Sequence, residues 1–381
     1  MRHHSIFIQG AYSLKFLFAC AFTIVTFQGV KAQNDSLPVL SSLQLEVRAD
    51  AEVNIPITDT AQRDMFGFKG RYFNFKVAGN LGKHFSYYFG QRMVADPGSV
   101  LFFDNTDFLY LDYKPNDNWR IRLGKDALAV GGFEYDASPI DVLFSTYYWD
   151  NFYCFQIAAS AAYISKDKKH TIIAQVANSP YIHYAAEMQN SLLSYNLQWM
   201  GQFGHFHTSY SVNMFERERG KFLSYIALGN ELAYDKWDFY LDFIHHATSP
   251  TQIMKNFAVI ACANAYINDY FSMFAKVGYE QNLDSREAKY YAASEEGDYW
   301  DCLSFPGMQS VRTGLGLEFK PKSCPDVRLH LLVADYSSRY LADKLAEGVS
   351  DFSDQPMQHS LSIQGGVTWH IDFLKFRNKK I

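Results

Sequence analysis

Beyond its first 32 residues this chain has no apolar run long enough to cross a bilayer as a helix. The longest, Phe257 to Ile267, is broken by Asn264, whereas a spanning helix needs roughly 18–20 apolar residues. An α-helical membrane protein is therefore excluded. The chain also has no Gly-x-Ser-x-Gly, no phosphate loop and no dinucleotide fingerprint, so nothing marks a catalytic residue or a cofactor site. Positive charge is in deficit, with 35 Lys and Arg against 40 Asp and Glu, which argues against a nucleic-acid partner. Cysteine is sparse: Cys154, Cys262, Cys302 and Cys324 are the four past residue 32.

The N-terminus has its own pattern. Met1-Arg2-His3-His4 is a short basic region, an apolar stretch runs from Leu14 to Phe27, and Val30-Lys31-Ala32 fits a cleavage site. Residues 1–32 therefore read as a cleaved signal peptide, with Gln33 the first mature residue. Cys20 follows Leu17-Phe18-Ala19, but the apolar stretch continues past it, which favours cleavage over lipidation. The 349 mature residues, 33–381, hold 32 basic and 40 acidic side chains, a formal charge of −8.

What the mature chain does have is aromatic side chains, 17% of the total with 26 Tyr and 32 Phe, distributed in alternation rather than in blocks. Leu43, Leu45, Val47, Ala49, Ala51, Val53 and Ile55 alternate without a miss with Gln44, Glu46, Arg48, Asp50, Glu52 and Asn54. Period two places one set on each face of a β-strand. Similar strands follow to Asn80 and from Phe85 to Met93, and about sixteen can be traced. Their connections alternate short and long. Leu81–Lys83, Pro115–Asn118, Lys166–Lys168, Gly201–Phe203, Asp235–Lys236, Asn268–Asp269 and Pro321–Pro325 are short. Asp96–Asn105, Asp126–Asn151, Ser179–Asn190, Glu216–Gly220 and Asn282–Met308 are among the long ones. Tight periplasmic turns, loose outer loops and an even strand count describe a transmembrane antiparallel β-barrel in an outer membrane, both termini periplasmic. Trp119, Trp237 and Tyr270 after short turns, and Tyr147, Tyr148, Trp149, Phe152 and Tyr153 at the end of a long loop, would form the two aromatic belts at the headgroup levels.

The stretch Trp119-Arg-Ile-Arg-Leu-Gly-Lys125 has an apolar face and a cationic one, and the segment 126–151 after it holds five carboxylates and no Lys or Arg. An Arg at the lipid-facing midplane costs about 2–4 kcal/mol, so Arg120 and Arg122 should face the lumen. The same argument turns Lys76, Arg92 and Arg312 inward, and Lys125 closes the strand. If loop 126–151 folds into the lumen, Glu134, Asp136 and Asp141 would face the wall of Lys76, Arg92, Arg120 and Arg122. A field across a narrow wet passage favours polar solutes; the alternative is that these charges merely solvate a wide lumen. No metal site is indicated. His205 and His207 lack a third ligand, and Asp104, Asn105 and Asp107 lack a ligand spacing for a divalent ion. Cys302 in an outer loop and Cys324 in a periplasmic turn would lie on opposite sides of the membrane and could not pair.

The runs Gly70-Arg-Tyr-Phe-Asn-Phe-Lys-Val-Ala-Gly79, Phe103-Asp-Asn-Thr-Asp-Phe108, Arg122-Leu-Gly-Lys125 and Gly131-Gly-Phe-Glu-Tyr-Asp136 resemble Bacteroides-type outer-membrane porins grouped with the phosphate-selective porins O and P. The resemblance extends over the mature chain and is most specific over residues 67–180. It implies a sixteen-stranded, homotrimeric barrel of a Gram-negative outer membrane that passes small hydrophilic solutes or ions passively. Two features depart from it. The candidate constriction loop is acidic where phosphate capture calls for Lys and Arg, and the chain ends in Lys379-Lys380-Ile381 rather than on an aromatic. The expectation is thus a passive porin without enzyme activity. A phosphate or oxyanion channel, a lipase-like barrel enzyme and a plugged binding barrel are the rivals. An energy-coupled transporter would need about 22 strands, more than this length supplies.

Overall fold

A strand that is oily on one face and charged on the other is stable only where the two faces meet different media. Sixteen such strands close that problem in this chain. The computed structural model describes residues 38–58, 65–93, 105–181, 192–284, 307–341 and 358–374; the expected signal peptide, residues 1–32, and Cys302 lie outside them. The strands are β1 Pro38–Pro56, β2 Met65–Leu81, β3 Phe85–Arg92, β4 Thr106–Asn116, β5 Trp119–Ala127, β6 Phe155–Ile164, β7 His170–Asn178 and β8 Leu193–Phe203. They continue as β9 Phe206–Glu218, β10 Lys221–Tyr234, β11 Trp237–Ala247, β12 Asn256–Tyr266, β13 Phe271–Asn282, β14 Met308–Phe319, β15 Val327–Tyr340 and β16 Gln358–Asp372. Each pairs antiparallel with its sequence neighbours, and β1 pairs with β16 from Gln44–Asp372 to Pro56–Ser360 to shut the barrel. Closure leaves no unpaired edge, the condition for sheet in hydrocarbon.

Side-chain period two then sorts the residues. Glu46, Arg48, Asp50 and Glu52 of β1 are buried on the inner face. On β5, Trp119, Ile121 and Leu123 are 40–57% exposed on the outer face, with Arg120 and Arg122 half-buried within. A one-residue slip would exchange the two sets on every strand. At 2–4 kcal/mol for each cation moved into lipid, the register is strongly fixed.

The start of β1 and the end of β16 lie at the rim that carries the connections 82–84, 117–118, 165–169, 204–205, 235–236, 267–270 and 320–326. The opposite rim carries the long connections, with one correction. The expected loop Glu216–Gly220 is a turn of residues 219–220, because β9 and β10 stay paired from Lys221–Glu218 to Leu232–Phe206. Trp119, Trp237 and Trp369 stand exposed on the outer surface near the tight-turn rim. The second expected belt is not one. Tyr148 is 1% and Phe152 8% exposed, packed inside the barrel.

Candidate functional site: a passage beside an inward-folded loop

The connection 128–154 runs inside the barrel, and its local sequence explains how. Gly131 and Gly132 press against the far wall: a Cβ on Gly131 would lie 2.5 Å from the Ser209 carbonyl oxygen, and one on Gly229 would lie 2.8 Å from the Gly132 Cα. Gly132, at φ 111°, is also in the region that favours glycine. Around them the backbone is tied down by lumen-facing amides and hydroxyls. The Gln175 side chain accepts from Ala129 N at 2.8 Å, Gln198 donates to the Val130 carbonyl at 3.0 Å, and Asn213 donates to the Ala129 carbonyl at 2.8 Å. Ser211 accepts from Gly131 N at 2.8 Å.

Two short helices follow, α1 Phe133–Asp136 and α2 Tyr147–Asn151. Their free N–H groups are satisfied from the barrel wall. Asp242 on β11 accepts from Phe133 N at 2.9 Å and Glu134 N at 2.8 Å. Glu280 on β13 accepts from Tyr147 N at 2.9 Å and Tyr148 N at 2.8 Å. A carboxylate at a helix N-terminus meets both the unpaired donors and the positive end of the dipole. Between the helices Glu134, fully buried, accepts from the Thr146 hydroxyl at 2.6 Å and from Lys276 Nζ on β13 at 2.5 Å. Lys276 also donates to the Phe144 carbonyl at 2.7 Å. Arg312 on β14 donates to the Ser145 carbonyl at 2.8 Å and to Asp150 at 3.1 Å, with its guanidinium 3.4 Å from the Tyr147 ring centroid. Arg328 on β15 donates to Asp141, and Arg48 on β1 donates to the Val142 carbonyl at 2.7 Å.

An apolar cluster fixes the same half of the lumen. Leu128, Val130, Tyr148 and Phe152 of the loop pack on Phe215, Leu223, Tyr225, Ile244 and Ile260 of β9–β12. Burial of four such loop side chains contributes about 1.5–3 kcal/mol each. The passage, a cavity of about 1060 Å³, lies on the other side of the loop, between it and the walls of β1–β4 and β14–β16. The charged side chains that line it are Arg48, Arg71, Lys76, Arg92 and Arg312, against Glu52, Asp107, Asp136 and Asp150. Among the described residues that is five cations to four carboxylates.

The sequence-chosen residues divide accordingly. Lys76, Arg92, Arg312 and Asp136 line the passage. Lys76 is held by Glu46 at 2.7 Å and Arg92 by Asp107 at 3.0 Å. Arg120 lies one residue inside the tight-turn rim. Arg122 is absorbed by Asp112 and Asp126, at 2.7 and 2.8 Å, beneath the Tyr110 ring, and Lys125 is buried. Glu134 and Asp141 do not pair with Lys76, Arg92, Arg120 or Arg122: Glu134 meets Lys276 on β13, and Asp141 meets Arg328 on β15, because the loop crosses the lumen and docks beyond that wall. Sequence reasoning missed Asp242, Glu280 and Lys276, three of the buried titratable side chains that seat the loop.

His205 and His207 are separate: one meets the Ala233 carbonyl at 2.9 Å, the other Glu231 at 2.9 Å. Among the described residues no three His, Cys, Asp or Glu side chains gather to hold a metal. Cys154, at the end of the loop, is only partly exposed along the passage, and desolvation together with nearby Asp107 pushes its thiol up to about 12. At neutral pH it stays protonated and reacts slowly. Cys262 is buried on β12 and Cys324 is exposed at the tight-turn rim. Maleimide treatment followed by peptide mapping should therefore label Cys324 first, Cys154 far more slowly because its raised thiol yields little thiolate, and spare buried Cys262; labelling of Cys262 at the rate of Cys324 would contradict the barrel packing.

Three solved barrels share this architecture. The outer membrane channel DcaP of Acinetobacter baumannii superposes with a TM-score of 0.60 at 11% identity, over 88% of this chain and 97% of that one. The anion-selective porin from Comamonas acidovorans gives 0.57 at 11% identity, over 88% of this chain and 100% of that one. OprB of Pseudomonas putida gives 0.53 at 9% identity, over 88% and 94%. At such identities the likeness establishes the fold. No curated protein matches the chain in sequence. The family described as phosphate-selective porin O and P matches residues 42–287, about two thirds of a chain that closes into sixteen antiparallel strands, and the protein belongs to that family of outer-membrane porins.

Proposed function

We propose that the protein passes small hydrophilic solutes or ions down their gradients, with no chemical step and no cofactor, and with a modest preference for anions. The observation that carries this reading is the passage itself: the loop fills one side of the lumen, and the open side has, among the described residues, one more cation than carboxylate along it. Fixed charge on a low-dielectric wall raises the local concentration of counter-ions. The tight-turn rim, with both termini, is assigned to the periplasm by the turn asymmetry of outer-membrane barrels. The family resemblance supports a homotrimer. Purified protein in a planar bilayer tests the transport reading: steady channels with an anion-directed reversal potential are expected, and insertion without current would refute it. A phosphate-specific channel is the second reading, favoured by the family description; it requires saturable block by phosphate at low concentration.

The preference should depend on pH. Asp136 opens to the lumen, but the surrounding wall keeps bulk water from it and nearby Asp242 repels its charge, while Ser209 partly offsets both. Its carboxyl is pushed up to about 7. A carboxyl so raised is neutral below that pH and negative above it. Between pH 8 and pH 6 its ionised fraction falls from about nine-tenths to one-tenth, leaving the passage more positive. The anion-to-cation permeability ratio should rise on acidification, and Asp136→Asn should flatten the change. An equally steep profile in that variant would remove Asp136 from the account.

A further inference from the structure

Toward the long-loop rim the passage changes character. Its wall there carries Glu52 of β1, Arg71 of β2, Arg312 of β14 and Tyr336 of β15, each four to six residues short of its strand end at that rim. From the loop side, α2 adds Trp149 and Asp150. The groups lie together, since Tyr336 stands among Arg312, Asp150, Glu52 and Arg71. Both cations are answered in place. Arg312 holds Asp150 at 3.1 Å, and Arg71 holds Glu52 and Asp50. The most exposed of these charges, Arg71 at 33% and Asp150 at 41%, are of opposite sign. The surplus cation of the passage therefore lies elsewhere, among Arg48, Lys76 and Arg92 against Asp107 and Asp136.

What stays open at this end are hydrogen-bonding groups beside a ring. Among the described residues, no ring stacks on Trp149 and nothing accepts from its indole N–H. The Tyr336 hydroxyl and one terminal nitrogen of Arg71 have no partner among them either. The Asp150 carboxylate, bonded to Ser145 at 2.6 Å and to Arg312 at 3.1 Å, keeps acceptor capacity. An oxyanion would meet the donors but be repelled by Asp150 and Glu52, and a cation would be repelled by Arg71 and Arg312. An apolar solute would strip water from two ion pairs and return nothing. A neutral pyranose suits all of them. Its hydroxyls both donate and accept, and the weakly positive C–H face of its ring fits the negative face of an indole.

Resting on the porin reading above, we propose that Trp149, Asp150, Arg71 and Tyr336 form a weak subsite for neutral pyranose sugars at the long-loop mouth of the passage. The sugar ring lies on Trp149. Its hydroxyls donate to Asp150 and accept from Arg71 and Tyr336. Single contacts of this kind hold a solute briefly and let it leave, as conduction requires.

Ion current through the mature protein in planar bilayers tests this, with methyl β-glucoside or sorbitol added to the salt solution. Sorbitol carries the hydroxyls without a ring face. Both lower the current through viscosity, and the glucoside is expected to add a saturable block that sorbitol lacks. Trp149→Leu should weaken that block about tenfold. Tyr336→Phe, which removes one hydroxyl and leaves the loop sequence untouched, should weaken it about threefold. The current in salt alone shows that each variant has folded and inserted. A glucoside effect no larger than that of sorbitol overturns the proposal. So does an affinity unmoved in Trp149→Leu, or in Tyr336→Phe where the leucine variant also changes the salt conductance. Absence of any current in the unmodified protein would instead sink the porin reading.

Discussion

Replacing Lys276 with Met is expected to raise single-channel conductance and make it unsteady while leaving the barrel intact. Lys276 is 7% exposed and Glu134 is fully buried, so removing the cation leaves a carboxylate without its partner inside the protein. Breaking one side of such a pair costs about 3–5 kcal/mol. The Phe144 carbonyl loses its donor as well. Strand pairing along β13 is carried by backbone bonds to β12 and β14, which this substitution does not touch. The cost therefore falls on the loop, which must leave its seat or distort, and the lumen it blocks widens. Adding Glu134→Gln removes the stranded charge and should restore part of the steadiness, so the double variant lies closer to the original than Lys276→Met alone. Unchanged conductance in Lys276→Met, with normal heat-dependent gel migration of the barrel, would show that the pair does not hold the loop.

The strand framework was open to reading because lipid and water impose opposite demands on adjacent residues. Leu43 to Ile55 could alternate without a miss only if one face was never buried in a common core, and β1 spans it. The loop was harder to place, since its partners are 46 to 187 residues away in sequence, as with Gln175 and Arg328. Asp242 and Glu280 sit on ordinary alternating strands, where nothing local separates an anchoring carboxylate from one that faces water. Turn length also misled at 219–220, where charged residues that suggested a loop extend two strands instead. A signal for the loop's seat was nevertheless present. The longest apolar run, Phe257 to Ile267, breaks the alternation on β12, and inner-facing Ala258 and Ile260 lie in the cluster under the loop. A barrel strand apolar on both faces needs something dry inside. That departure from period two, repeated on β10 where Leu223, Tyr225 and Ala227 face inward between exposed Ile226 and Leu228, pointed to a partly filled lumen.

Arg92→Gln should move the zero-current potential in a salt gradient toward cations by the largest step of any single neutralisation along the passage. Of the five cations there, Arg48 is buried at 5% and saturated by Asp50 and the Val142 carbonyl. Arg312 is occupied by the Ser145 carbonyl and Asp150. Lys76 is 16% exposed, whereas Arg92 is 41% exposed and Arg71 is 33% exposed but tied to both Asp50 and Glu52. Arg92 thus presents the most charge to a passing ion. At pH 8, where Asp136 is ionised, its neutralisation leaves four cations against four carboxylates among the described residues, and the anion preference should disappear. Asp107→Asn has the opposite sign: it frees Arg92 from its 3.0 Å partner and should raise the anion preference above that of the unmodified protein. Combining the two removes one charge of each sign, so the potential should return close to its starting value. That cycle separates charge from structure, because a variant that merely disturbed the wall would not be corrected by a second disturbance beside it. If Arg92→Gln leaves the potential where it was, selectivity is set at another level of the barrel, with Arg71 the next group to neutralise.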